Sequence, residues 1–160
     1  CLKIIKYYKI KNIKIIALKN FFKNLRFNNQ DTIVFNFLTP NIFIQTKDFF
    51  SLKKFHEFLY AYLDININLI NKMLLSKNKF KLFIPLTTYL DNKKPTYKEY
   101  YYSKQIIKNI IDTHIKQFSN IEVAIPKLNE FESKQTNSSL TKNKKEYEKI
   151  QKKIIKFIKT

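Results

Sequence analysis

Glycine is absent from this 160-residue chain. That absence excludes the phosphate loops that need a left-handed turn or a close backbone approach: no Walker loop, no dinucleotide fingerprint, no glycine-rich kinase lid. A single cysteine, Cys1, leaves no internal disulfide framework and no multi-cysteine zinc cluster. Tryptophan is missing too, and arginine occurs once, as Arg26. No stretch approaches the roughly 18 uninterrupted apolar residues of a membrane-spanning helix, so no membrane span is expected. Acids are scarce: 12, against 31 lysines and arginines, for a net charge of +19.

What is present is lysine, isoleucine, asparagine, phenylalanine and tyrosine, together 96 of the 160 residues. Their codons are rich in A and T, so the skew reports an organellar or extremely A/T-rich genome. The same bias supplies asparagine as readily as lysine. The charge therefore predicts a polyanionic partner. It sits at the ends: residues 1–30 carry eight positive charges and no acid, and residues 137–160 carry eight lysines against two acids. The chain divides on this reading into a basic N-terminal extension (1–30), a nearly balanced globular core (31–132), and a linker with a basic C-terminal helix (133–160). The first residue is Cys1 and not methionine, so a missing or processed start is expected.

Within the core, Ile42, Ile44 and Thr46 alternate with Phe43, Gln45 and Lys47, which is strand periodicity. Ser51 is placed to cap a helix whose apolar face is Leu52, Phe55, Phe58, Leu59, Tyr62 and Leu63. Ile65, Ile67 and Leu69 alternate with Asn66 and Asn68, predicting a second strand towards Leu75. After a turn at Ser76-Lys77-Asn78, Phe80, Leu82 and Ile84 predict a third strand, ended or put at an edge by Pro85. Asp91 to Pro95 reads as a loop, and Tyr97, Tyr100, Tyr101 and Tyr102 as its basic, aromatic continuation. Ser103 then caps a second helix carrying Ile106, Ile107, Ile110, Ile111, Ile115 and Phe118, and Ile121, Val123 and Ile125 form a last strand stopped by Pro126. The order β-α-β-β-α-β predicts an α+β fold of the ferredoxin-like, split β-α-β kind: an antiparallel four-stranded sheet with both helices on one face. Ile33, Phe35 and Phe37 add an edge strand or lead into the first one. At the C-terminus, Tyr147, Ile150, Ile154 and Ile158 make the apolar stripe of a helix over 143–159, and Lys144, Lys145, Lys149, Lys152, Lys153, Lys156 and Lys159 cover its remainder. Two readings of it stand open: a solvated helix packing back on the core, or a basic helix lying on RNA or an acidic neighbour.

Catalytic signatures are missing. His56 and His114 have no third ligand at metal spacing, and Ser51, Ser103 and Ser119 have no glycine elbow or evident His-acid partner. Asp48, Asp64, Asp91 and Asp112 are scattered. The expectation is a non-enzyme with no cofactor, no metal and no small-molecule substrate.

Several short stretches resemble the small-subunit ribosomal protein S-ten family: Lys47-Asp48-Phe49 before the first helix, Ile84-Pro85-Leu86-Thr87-Thr88 near the family's long hairpin, Thr113-His114, and Ile121-Glu122-Val123 in the last strand. The S-six family shares the same element order and stays open. The S-ten resemblance implies a place in the head of the small ribosomal subunit beside the S-three and S-fourteen families, with residues 85–102 as a loop inserted among ribosomal RNA helices. It makes the chain a structural, rRNA-binding constituent of an organellar small subunit, in the mitochondrial matrix, with neighbouring small-subunit proteins as partners. The N-terminal segment has one Arg and no Ser, which suits an extension embedded in rRNA better than a transit peptide. The expected RNA contacts are Lys3, Lys6, Lys9, Lys11, Lys14, Lys23 and Arg26 on that arm; Lys77, Lys79 and Lys81, about 7 Å apart on one face of a strand; and Lys93, Lys94, Tyr97 and Lys98 in the aromatic loop. Lys77, Lys79 and Lys81 read equally as outward residues protecting an edge strand. Lysine lacks the planar fork of arginine, so backbone binding is expected over base-specific readout. The alternative from another class is a mitochondrially encoded accessory subunit of a respiratory or ATP-synthase complex, its arms on anionic lipid or acidic subunits.

Overall fold

Phe80, Leu82 and Ile84 project to one side of a strand and Phe83 to the other, and all four are buried. A strand buried on both faces needs a layer on each side, which is the usual condition of parallel sheets. The computed structural model describes residues 27, 31–42, 49–92, 95–128 and 144–159, with side chains in the last segment from 148 onward. In chain order the elements are β1 (Thr32–Phe35), α1 (Leu52–Leu59), a π-helical turn (Tyr60–Asp64), α2 (Ile65–Leu74), β2 (Phe80–Phe83), β3 (Leu86–Thr87), α3 (Lys98–Thr113), β4 (Ile121–Ala124), β5 (Lys127–Leu128) and α4 (Lys144–Lys159).

β1, β2 and β4 form a parallel sheet in that order, with Val34 opposite Leu82 and Leu82 opposite Val123. β3 and β5 prolong the β2–β4 pair in unchanged register, so Pro85 stands opposite Pro126. Each proline lacks an N–H, and the ladder resumes beyond them with Leu86 N–H donating to the Pro126 carbonyl at 3.0 Å.

Strand order follows chain order, so two crossovers of the same hand place both helical connections on one face. There Phe58, Tyr62, Leu69, Ile70 and Met73 from the first helical run, and Ile107 and Ile111 from α3, cover Phe80, Leu82, Ile84 and Ile121. α4 covers the opposite face: Ile150, Ile154 and Phe157 pack on Phe83 and Leu128, flanked by Phe35 and Phe37. The Phe157 ring lies 5.6 Å from Phe83 and 6.4 Å from Phe35.

The mixed helix-and-strand composition is as expected, but the sheet is parallel and not the antiparallel sheet of a ferredoxin-like fold. The difference arises at 65–74, which is helix and not strand. Ile65, Asn66, Leu69, Ile70 and Met73 are its buried residues, a spacing of one, three, one and three that only a helix brings to one side. Asn66 is inside because its amide is satisfied: it donates to the Tyr62 carbonyl at 2.7 Å and accepts from Asn36 Nδ2 at 2.9 Å. The first strand is the Ile33–Phe35 segment. The strand expected over 42–47 falls mostly outside the described residues. Ser51 does cap α1, its hydroxyl accepting from Lys54 N–H at 3.4 Å. Ser103 caps nothing, since α3 begins at Lys98 and buries Ser103 in its middle, with Oγ donating to the Tyr100 carbonyl at 2.8 Å.

The two faces of α4 make opposite predictions. Ile154→Ala is expected to cost about 2–4 kcal/mol by urea denaturation, through the cavity left against the sheet. Lys152→Ala, on the exposed side, is expected to move stability by less than about 0.5 kcal/mol.

Candidate nucleic-acid interface

Once Ile150, Ile154 and Phe157 are turned to the sheet, helical geometry fixes what faces away. Lys149, Lys152, Lys153, Lys156 and Lys159 are all exposed. Residues 149–159 span about 15 Å at 1.5 Å per residue, an axial length over which one duplex strand carries about four phosphates. Lys153 donates to the Lys127 carbonyl at 2.8 Å, tying the basic side of α4 to β5. Glu148 is an exposed acid on the same helix. Lys156 and Lys159 lie in the last turn, where their charge also favours the helix dipole.

The residues expected to touch RNA are distributed unevenly. Lys3, Lys6, Lys9, Lys11, Lys14, Lys23 and Arg26 lie outside the described residues, as do Lys93 and Lys94. Lys77, Lys79 and Lys81 do not form one ladder on a strand, because the strand starts at Phe80. Lys77 is exposed in the preceding turn, where Asn78 N–H donates to Ser76 Oγ at 3.3 Å. Lys79 is exposed, and its backbone N–H donates to Asp31 Oδ1 at 3.2 Å. Lys81 turns under α4: its ammonium is 3.5 Å from Glu122, directly opposite on β4, and 3.5 Å from the Phe157 carbonyl. Its charge is committed inside the fold.

The tyrosines expected in a loop are helical or lead into a helix. Tyr97 is half-buried, its N–H donating to the Tyr89 hydroxyl at 2.8 Å and its ring 6.0 Å from that of Tyr89. Tyr100 packs against Phe58 at 5.7 Å and Tyr62 at 6.0 Å. Lys98 lies over Phe49, its ammonium 3.6 Å from the ring centroid.

A buried cation escapes the sequence reading altogether. Lys104 is 6% exposed in the middle of α3. Its ammonium donates to the Pro85 carbonyl at 2.8 Å and sits 3.8 Å from the centroid of the Tyr62 ring. Burial lowers its pKa from 10.5 to about 7. The one carbonyl and the ring face offset part of the lost hydration. Burial also raises the Tyr62 phenol, while its hydrogen bond with the Thr39 hydroxyl pulls the other way. The available signal is positional: Lys104 stands one turn before Ile107, itself one turn before Ile111, on the inward side of the helix. On the surface, Lys108 and Lys116 hydrogen-bond Asp112 and hold its carboxyl below the ordinary carboxylate value.

No protein-family model, curated protein or solved structure matches this chain. Among the described residues, no helix is long and apolar enough to cross a membrane.

Lys104 gives the fold a pH dependence. Its folded pKa lies below its unfolded one, so between about 7 and 10.5 the unfolded chain binds the extra proton. Its contribution to stability therefore rises with pH across that window, and the full cost is present below it. Lys104→Met is expected to stabilise the protein by about 1–3 kcal/mol below pH 7, with the gain shrinking as pH rises. Urea denaturation at several pH values checks this; a gain that stays flat with pH would mean that Lys104 keeps its charge in the fold.

Proposed function

We propose that this chain is a structural RNA-binding protein, a constituent of the small subunit of a mitochondrial ribosome, held to ribosomal RNA by lysine contacts to the phosphate backbone. The observation that carries the reading is α4: an apolar stripe fixed to the sheet and five exposed lysines beside and opposite it, of which Lys153 also bonds back to β5. A helix docked in this way fixes the backbone positions of its cations, so only side-chain entropy is left to lose when phosphates are bound. Lysines neutralise phosphates and release counterions without reading bases. The net charge of +19 supports the same partner. The S-ten resemblance contributes the small-subunit placement and the neighbouring proteins, and not the fold, since the antiparallel sheet it implies is not the one formed here.

The affinity of the full chain for duplex RNA is expected to fall steeply with salt, with a log–log slope of about −0.9 per phosphate neutralised. Replacing Lys152, Lys156 and Lys159 together by Gln is expected to make that slope shallower by about three. Fluorescence anisotropy across a salt series measures both. A flat response in the parent protein would remove RNA as the partner. Retention on a membrane complex after detergent extraction, in place of co-sedimentation with the small ribosomal subunit, would favour the respiratory-subunit alternative.

A further inference from the structure

Four of the six large hydrophobic side chains exposed among the described residues stand on the approach to α1, on α1, on α3 or at the start of the π-helical turn: Phe49 at 84%, Leu52 at 66%, Tyr102 at 50% and Tyr60 at 48%. Phe49, Leu52, Lys53, His56 and Tyr60 follow one another at mostly three- and four-residue spacing, and all are exposed. α3 supplies the other side. Lys98 and Tyr102, one turn apart, meet the same corner. The Lys98 ammonium is 3.6 Å from the Phe49 ring centroid and donates to the Phe49 carbonyl at 3.4 Å. The Phe50 ring bridges Phe55 at 5.2 Å and Tyr102 at 6.3 Å. Among the described residues, two carboxylates nearby are engaged within the protein: Glu99 accepts from Ser51 N–H at 2.5 Å, and Glu57 pairs with Lys54 at 3.0 Å.

We infer that this corner is a stacking platform for unpaired RNA bases. The inference rests on the RNA-binding reading above and adds the ligand, single-stranded nucleotides and not duplex. An apolar protein partner covering Phe49 would have to desolvate the Lys98 ammonium that lies over its ring, and the cores of protein interfaces are depleted in lysine. A nucleotide satisfies both components, since its base offers a π face to Phe49 or Tyr102 and its phosphate offers a charge to Lys98 and Lys53. Among the described residues the patch contains no arginine fork, so recognition there is tolerant of sequence.

The test uses the full chain, a short single-stranded RNA carrying the fluorescent adenine analogue aminopurine, and a blunt RNA duplex of the same length. The parent protein is expected to quench the aminopurine by stacking. Phe49→Ala with Tyr102→Ala is expected to abolish the quench and weaken single-strand binding by roughly tenfold or more per ring, leaving duplex affinity unchanged. Phe49→Leu keeps an apolar side chain and removes the π face, so it is expected to lose quench without loss of fold, checked by circular dichroism. The Lys152, Lys156 and Lys159 triple variant is expected to weaken duplex binding and to keep the quench at saturating protein. Full quench and full single-strand affinity in the aromatic variants would overturn the platform while leaving RNA binding intact. That result would return the patch to a protein neighbour. Failure of the parent protein to bind either RNA would overturn both readings.

Discussion

The structure depends on a central strand that is apolar on both sides. Phe80, Leu82 and Ile84 demand cover from one direction and Phe83 from the other. The helical crossovers supply the first layer. They cannot supply the second, because with strands in sequential order both land on the same side. α4 fills that role, and its docking determines which of its residues face water. The display of lysine on its outer surface is therefore a consequence of burying Ile150, Ile154 and Phe157. Lys81 shows the limit of counting charges in such a fold: its strand position is under α4, where Glu122 and a helix carbonyl hold it.

Much of the fold was legible where periodicity ran long. The capped helix from Leu52, the strand at Phe80, the strand at Ile121 and the inward turn of Ile150 and Ile154 on α4 all follow from spacing, whereas Pro85 interrupts the ladder without ending it and Phe157 was not counted in the stripe. Residues 65–69 did not. Five residues of apolar–polar alternation fit a strand, and the assumption that asparagine points to water completed the error. Asn66 is fully buried because its amide is satisfied at both ends: it donates to the Tyr62 carbonyl, one turn earlier in the π-helical turn, and accepts from Asn36, distant in sequence. One misread segment changed the topology, because a helix leading into β2 makes the crossover long enough for parallel pairing, whereas a strand there makes a hairpin.

The candidate interface was legible in kind and less so in address. The lysines of the C-terminal helix were identified from its stripe, and they stand exposed. The Lys77, Lys79 and Lys81 set was not a ladder, since the turn extends to Lys79 and alternation applies only within a strand. The aromatic corner was hidden because it joins Phe49 and Phe50 to Lys98 and Tyr102, which local periodicity treats separately. Lys104 was hidden by number, as one lysine among thirty. Only its place on the inward line of Ile107 and Ile111 distinguished it.

A nucleotide bias would account for part of the stock of lysine and not for where it stands. Random placement would scatter lysine through strands and inward helix faces, at a desolvation cost for each. Among the lysines with described side chains, Lys104 alone is buried, and the five of α4 are all exposed, Lys153 while bonded back to β5. α4 and the α1–α3 corner lie on opposite sides of the sheet. On the two proposals made for them, one presents cations to a phosphate backbone and the other presents rings to unpaired bases, so a single molecule would engage two RNA segments that face it from opposite directions. In that proposed arrangement the core would set the distance between the two segments, and the lysines would offset the repulsion between them.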